Sequence, residues 1–138
     1  MKLMSRVVIV PKSYETVYQI IQSSAYHIPK GIFREDSFSM HCAKRFNGGM
    51  ISLFPVKGTI IKRNHSVEVT LSVCADFSFY LGVFLVLLGI AHSIGCIATL
   101  SPRWIVSIGM VVFGLAATAY SLLEEKELLD RLEHKLLS

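Results

Sequence analysis

Charge is what the middle of this chain lacks. From Phe77 to Leu100 no side chain carries a formal charge, His92 aside, and from Trp104 to Leu123 there is again none. That absence excludes a solvated surface helix from either run. Each is about as long as the roughly 20 apolar residues an α-helix needs to cross a ~30 Å hydrocarbon core. Cysteine is scarce too: Cys42, Cys74 and Cys96 are odd in number and have no metal-ligand spacing, which excludes a disulfide framework or a zinc knuckle. Reduced thiols are the expectation for a cytoplasmic domain. There is no CxxC, HExxH, GxSxG or glycine-rich phosphate loop, so the sequence predicts no catalytic, cofactor-binding or metal-ligating residues and no enzyme. The N-terminal apolar run, Val7 to Val10, is too short for a signal-peptide core and meets Pro11-Lys12 at once, so the first apolar helix is the expected insertion signal. Basic residues are not interleaved with aromatics, so nucleic acid is not an expected partner.

Residues 77–123 read as a two-helix transmembrane hairpin, with helices at about 77–100 and 102–123. Leu100-Ser101-Pro102-Arg103 has the chemistry of a tight turn, in which Ser101 can cap the second helix and Pro102 can occupy its first turn. Residues 1–76 carry ten Lys/Arg against five Asp/Glu, a net +5, and Arg103 alone lies between the helices. Short Lys/Arg-rich segments stay cytoplasmic. The expectation is therefore a multi-pass protein of the inner (cytoplasmic) membrane, both termini inside and Arg103 outside. Anionic lipid is a candidate partner through Lys44, Arg45, Lys57, Lys62 and Arg63, of which Lys57, Lys62 and Arg63 are the foremost. A solvated sheet surface is the competing reading of those residues.

Residues 1–76 alternate between strand and helix signals. Arg6 to Val10 is a β-branched buried strand that Pro11 ends. Ser13 then caps a helix with Glu15 in its first turn, and Tyr14, Val17, Tyr18 and Ile21 recur on one face to about Ser24. Pro29 and Gly31 end that unit. Strand chemistry follows in residues 31–34, with a turn at Glu35-Asp36. Phe38, Met40 and Cys42 then alternate with Ser39 and His41, and Asn47-Gly48-Gly49 is a loop. Val56 to Arg63 is another strand, begun by Pro55 and turned at Asn64-His65. Val67, Val69, Leu71 and Val73 alternate with polar neighbours in the clearest period-two segment. The expected fold is α+β: a small N-terminal antiparallel sheet carrying one helix, in order β-α-β-β-β-β, then the hairpin and a helical C-terminal extension. A chain of this size has a marginal core, so the domain is expected to lean on another element. Asp76 joins sheet to helix with almost no linker.

Small residues in the apolar runs are candidates for close helix packing: Gly89 and Ser93 in a small-xxx-small spacing, with Gly109 and Gly114 in the second run. They can pack the hairpin on itself or serve a homo-oligomer or larger membrane complex. His92, with Ser93, forms a candidate intramembrane polar site about 24 Å along the first helix. Packing or snorkelling competes there with a proton-sensing or pore-lining role. His41 and Cys42 are adjacent, but on a strand they point to opposite faces, so Cys42 reads as a buried thiol and not a nucleophile. Past Tyr120 no stop signal appears. Residues 124–138 continue the second helix as a cytoplasmic amphipathic segment, whose candidate interface is Leu122, Leu129, Leu132 and Leu136. That interface can face the β-domain or another copy.

The order of "GIFREDSFSM", "FNGGMISLFPVKGTII" and "SVEVTLSV", followed by two apolar helices and a Leu/Glu-rich tail, resembles a group of small bacterial two-helix membrane proteins of unknown function. The resemblance is carried by Pro55-x-x-Gly58-x-Ile60. It implies fold roles for Pro55 and Gly58, and no activity. The expectation is a non-enzymatic integral membrane protein whose cytoplasmic domain binds a partner or ligand. The alternative is a sensor–effector whose oligomeric hairpins rearrange to disrupt or perforate the membrane.

Overall fold

The computed structural model describes residues 1–27, 30–45 and 51–138, the Arg45 side chain excepted. The stops assigned to Pro29 and to Asn47-Gly48-Gly49 lie outside the described residues. In chain order the elements are β1 (Lys2–Val10), α1 (Tyr14–Ser24), β2 (Ile32–Phe33), β3 (Ser37–Arg45), β4 (Ile51–Lys62), β5 (Val67–Cys74), α2 (Phe77–Ala98) and α3 (Trp104–Leu137). They form two compact units, residues 1–75 with 125–138, and residues 76–124.

In the first unit the strands make one antiparallel sheet in the order β1-β5-β4-β3-β2. Because β1 and β2 occupy opposite edges, the chain between them must cross the sheet, and α1 does so with Val17 and Ile21 buried. Ser13 caps α1, its hydroxyl accepting the Thr16 N–H. The period-two reading of β5 holds: Val67, Val69, Leu71 and Val73 all lie in the core, with Val8 and Val10 of β1 and Phe38, Met40 and Cys42 of β3.

Three strand limits differ from the sequence reading. β1 begins at Lys2, not Arg6, because pairing with β5 extends past its polar start. β2 is only two residues long. β4 begins at Ile51, which places Pro55 inside a strand instead of at its start. Proline is tolerated there for a local reason. The pairing of β4 with β5 ends at Val56↔Val73, so Pro55 pairs only with His41 of β3 and stands where β4 has become an edge. Gly58 lies opposite Phe38, and a Cβ there would meet the Phe38 ring at 2.4 Å and the Thr70 carbonyl at 2.2 Å. The glycine is required so that the Phe38 ring can lie over the strand.

The same face receives the end of α3. Leu128, Leu129, Leu132 and Leu136 join the core cluster with the strands and α1. Each fully buried leucine contributes roughly 1.5–3 kcal/mol, so four of them supply the cover that a 75-residue sheet domain lacks. Charges frame the contact: Arg6 pairs with Asp130 and Glu133 at 2.5 Å each, Lys44 pairs with Glu127, and Lys135 donates to Ser24 Oγ at 3.1 Å. The C-terminal segment thus docks on its own domain. Leu128, absent from the predicted interface, belongs to it. Leu122 does not; it is half-buried in the second unit.

The second unit is a helical hairpin, and both helices are long and apolar enough to cross a membrane. α2 stops at Ala98 and α3 starts at Trp104, so Pro102 sits in the connecting turn and not in the first turn of α3. The cause is the way α2 ends. Leu100 N–H donates to Ile97 O and Ser101 N–H to Cys96 O, with Leu100 at φ 52°. These bonds close a Schellman motif. Leucine holds the left-handed position that glycine usually takes, and its side chain is 92% exposed. Ser101 still serves the helix start, accepting the Arg103 N–H at 3.4 Å.

Candidate functional site

The hairpin seam is built from small residues seven apart. Gly82, Gly89 and Cys96 are the buried residues of α2, and Ser107, Gly114 and Ser121 are buried on α3. A seven-residue step turns a helix by about 700°, within ~20° of two full turns, so each set forms one stripe. The stripes meet closely: a Cβ on Gly114 would sit 2.7 Å from Gly82 O, and one on Gly89 would sit 3.0 Å from Ser107 O. Of the four predicted packing positions, Gly89 and Gly114 lie in this seam. Ser93 is half-buried and its hydroxyl donates back to Gly89 O at 2.8 Å. Gly109 does not belong to it, since nothing lies within 4 Å of where its Cβ would be. Gly109 is five residues from Gly114, about 140° around the helix. The signal that would have found Gly82, Ser107 and Ser121 is the heptad spacing, not the four-residue one.

His92 is turned into this seam. Its Nδ1 and Ser107 Oγ are 2.6 Å apart, in a hydrogen bond whose direction follows the imidazole tautomer. Cys96 Sγ lies 3.6 Å from Nδ1, one helical turn on. Ser107 is fully buried and His92 half-buried. The polar site predicted at His92 and Ser93 is therefore a His92–Ser107–Cys96 cluster, with Ser93 satisfied by its own backbone. A second polar contact closes the other end of the hairpin. Asp76 caps α2, accepting the Phe79 N–H at 2.9 Å, and the same Oδ1 accepts the Ser121 hydroxyl at 2.7 Å.

In the sheet unit, Cys42 is buried in the core and His41 is half-buried on the opposite face, paired with Pro55. Burial pushes the Cys42 thiol up from 9.0 to about 11, only partly offset by Lys135. A thiol held protonated in this way is a poor nucleophile. The face opposite the core is open. Lys57 projects there beside Ser39 and Ser72, and Val7, Ile9 and Ile61 are exposed on it. Lys62 and Arg63 lie at the β4–β5 hairpin. Lys62 Nζ is 4.1 Å from the centre of the Tyr14 ring, and Arg63 pairs with Glu68. Lys57 and the hairpin pair are thus separate sites. Among the described residues no group of three or more His, Cys, Asp or Glu side chains is placed to hold a metal ion. Compared with family models, with curated proteins and with solved structures, the chain matches none.

Proposed function

We propose that this is a non-enzymatic integral membrane protein of the inner (cytoplasmic) membrane. Its hairpin crosses the bilayer twice, and the sheet domain binds a partner or ligand on the cytoplasmic side. The observation that carries this reading is the outer surface of the hairpin. Leu87, Ile94, Ile97, Ile105 and Phe113 are each more than 60% exposed, and no formal charge breaks either helix before Glu124. A soluble protein buries the apolar faces of its core helices, and a secretory signal lies at the N-terminus; neither describes these helices. Lipid covers such a surface without cost. The polar groups of His92, Ser107 and Asp76 have hydrogen-bond partners within the hairpin, as hydrocarbon demands.

Orientation follows from charge. The Lys/Arg-rich sheet unit stays inside and Arg103 lies outside. The test is alkaline extraction of cell membranes, with Arg103→Cys in a cysteine-free chain labelled by an impermeant maleimide on intact cells. Retention in the pellet with labelling at position 103 supports the reading. Release into the supernatant overturns it.

A second reading has one observation in its favour. β5 reaches α2 through Ala75 and the capping Asp76 alone, and α3 runs unbroken from Trp104 to Leu137. Both connections are short in sequence, and they would carry a ligand-induced shift in the sheet to the helices. On this reading the protein is a sensor–effector whose hairpins rearrange in an oligomer. Dye release from vesicles on ligand addition separates the two.

A further inference from the structure

We propose that the cavity between the β1–α1 turn and the β4–β5 hairpin binds the phosphate group of a small phosphorylated molecule. The cavity measures about 440 Å³, and its lining includes Lys12, Ser13, Tyr14, Lys62, Arg63 and His65. Among the described residues no acidic side chain lines it. This assignment rests on the reading of the sheet unit as a ligand-binding domain and names the chemical class that the domain takes.

The donors are only partly engaged. Lys12 Nζ donates to the Ser138 carbonyl at 2.7 Å, which leaves two of its three N–H bonds. Arg63 gives Nε and one terminal nitrogen to Glu68 Oε2, which leaves the rest of its five-donor fork. Lys62 is held over the Tyr14 ring, which positions its ammonium at the cavity wall. Lys12, Lys62 and Arg63 line the cavity as cations, with Glu68 paired to Arg63, and such donors complement a phosphate monoester, which carries about −1.5 to −2 at neutral pH and three acceptor oxygens. Concave basic surfaces also concentrate anions ahead of contact. The volume exceeds that of phosphate itself and falls within the ~300–1,000 Å³ typical of small-molecule sites. That leaves room for an esterified group against Tyr14.

The walls are fixed. Ser13 caps α1, and Arg63 N–H donates to Ser66 O at 2.9 Å to close the hairpin. Within the sheet, the cavity lies at the Val67 end of β5. Phosphate chemistry can come from a soluble metabolite or from a lipid headgroup, and the choice of probe distinguishes the two.

The test uses the full chain in nanodiscs of zwitterionic lipid. Backbone amide shifts at Lys12–Tyr14 and Lys62–Val67 are followed as inorganic phosphate, a hexose phosphate or phosphatidic-acid vesicles are added. The expected result is saturable shifts confined to those segments, with affinity at least about tenfold weaker in Lys62→Gln/Arg63→Gln and unchanged in Lys57→Gln. Response to the hexose phosphate identifies a soluble ligand; response to the vesicles alone identifies a headgroup. Should the double variant not fold, Lys12→Gln and His65→Gln carry the same comparison. No shift with any probe, or shifts that persist equally in the variants, overturns the assignment. If such a protein still resists alkaline extraction, the membrane reading stands without it.

Discussion

Asp76 and Ser121, 45 positions apart, are joined by a hydrogen bond of 2.7 Å, and the accepting oxygen is the one that caps α2. One carboxylate therefore starts the first helix of the hairpin and ties it to the second. Both residues are buried, at 7% and 2% exposure. Asp76→Ala loses the cap and the cross-helix bond together and is expected to cost about 2–3 kcal/mol; Ser121→Ala is expected to cost about 1 kcal/mol. Unfolding of the detergent-solubilised protein measures both. The double variant should cost little more than Asp76→Ala alone, and strict additivity would refute the shared bond.

The two glycines of α3 should respond in opposite directions. Gly114→Ala drives a Cβ to within 2.7 Å of Gly82 O and 2.9 Å of Val86 N, both backbone atoms that cannot swing away. The helices must separate, at a cost of about 1–3 kcal/mol. Gly109→Ala meets open space and removes glycine's backbone freedom, so it should be neutral or stabilise by about 0.5–1 kcal/mol. Denaturant titrations of the two single variants decide this.

Leu100 is at φ 52° and is almost wholly exposed, so its side chain strains the backbone with little burial in return. Leu100→Gly should stabilise the hairpin by about 1 kcal/mol, seen as a raised unfolding midpoint. A lowered midpoint would mean that the leucine side chain contributes more than its backbone conformation costs.

Docking of the α3 end on its own sheet predicts the behaviour of Leu129→Asp/Leu136→Asp. Both leucines are 2% exposed in the core cluster. Burying two carboxylates should destabilise the domain by at least about 4 kcal/mol and open residues 125–138 to protease. Mass per particle by light scattering should not change. A wild-type oligomer that falls to monomer would place these leucines between copies instead.

Cys42 sets a pH limit. Its folded thiol titrates near 11 against 9.0 unfolded, so the folded state holds the proton more tightly. The stabilisation is fully present below pH 9 and is lost as pH rises from about 9 to 11, a fall of roughly 2–3 kcal/mol across the window. Cys42→Ala should lower stability at neutral pH and flatten that part of the pH profile. In the native protein at pH 8, maleimide should modify the half-buried Cys74 well before Cys42.

The α+β order, the alternation that buries Val67, Val69, Leu71 and Val73, the Ser13 cap and the two long apolar helices were all legible in the sequence. Each depends on chemistry within a few residues: period two, period 3.6, a capping hydroxyl or an uncharged run. What was not legible depended on a partner far along the chain. Gly109 and Gly114 look alike until the register with α2 puts one against Gly82 and leaves the other facing outward. Leu122 and Leu129 share a heptad position, yet only Leu129 enters the sheet core, because the sheet offers its apolar face to one stretch of the helix. Pro55 reads as a strand start, and only the end of the β4–β5 pairing explains its place within β4. His92 stands out as a polar residue in an apolar run, but its pairing with Ser107, fifteen positions away, is set by the register of the two helices. The sequence by itself determined the order of the elements and the buried faces of β3 and β5, since backbone sterics and burial periodicity are local; β1, read as a buried strand, exposes Val7 and Ile9 on its outer face. The tertiary structure decided which small residues touch, where the last turns of α3 dock and which cations share a cavity, since those depend on distances between segments that no local rule specifies.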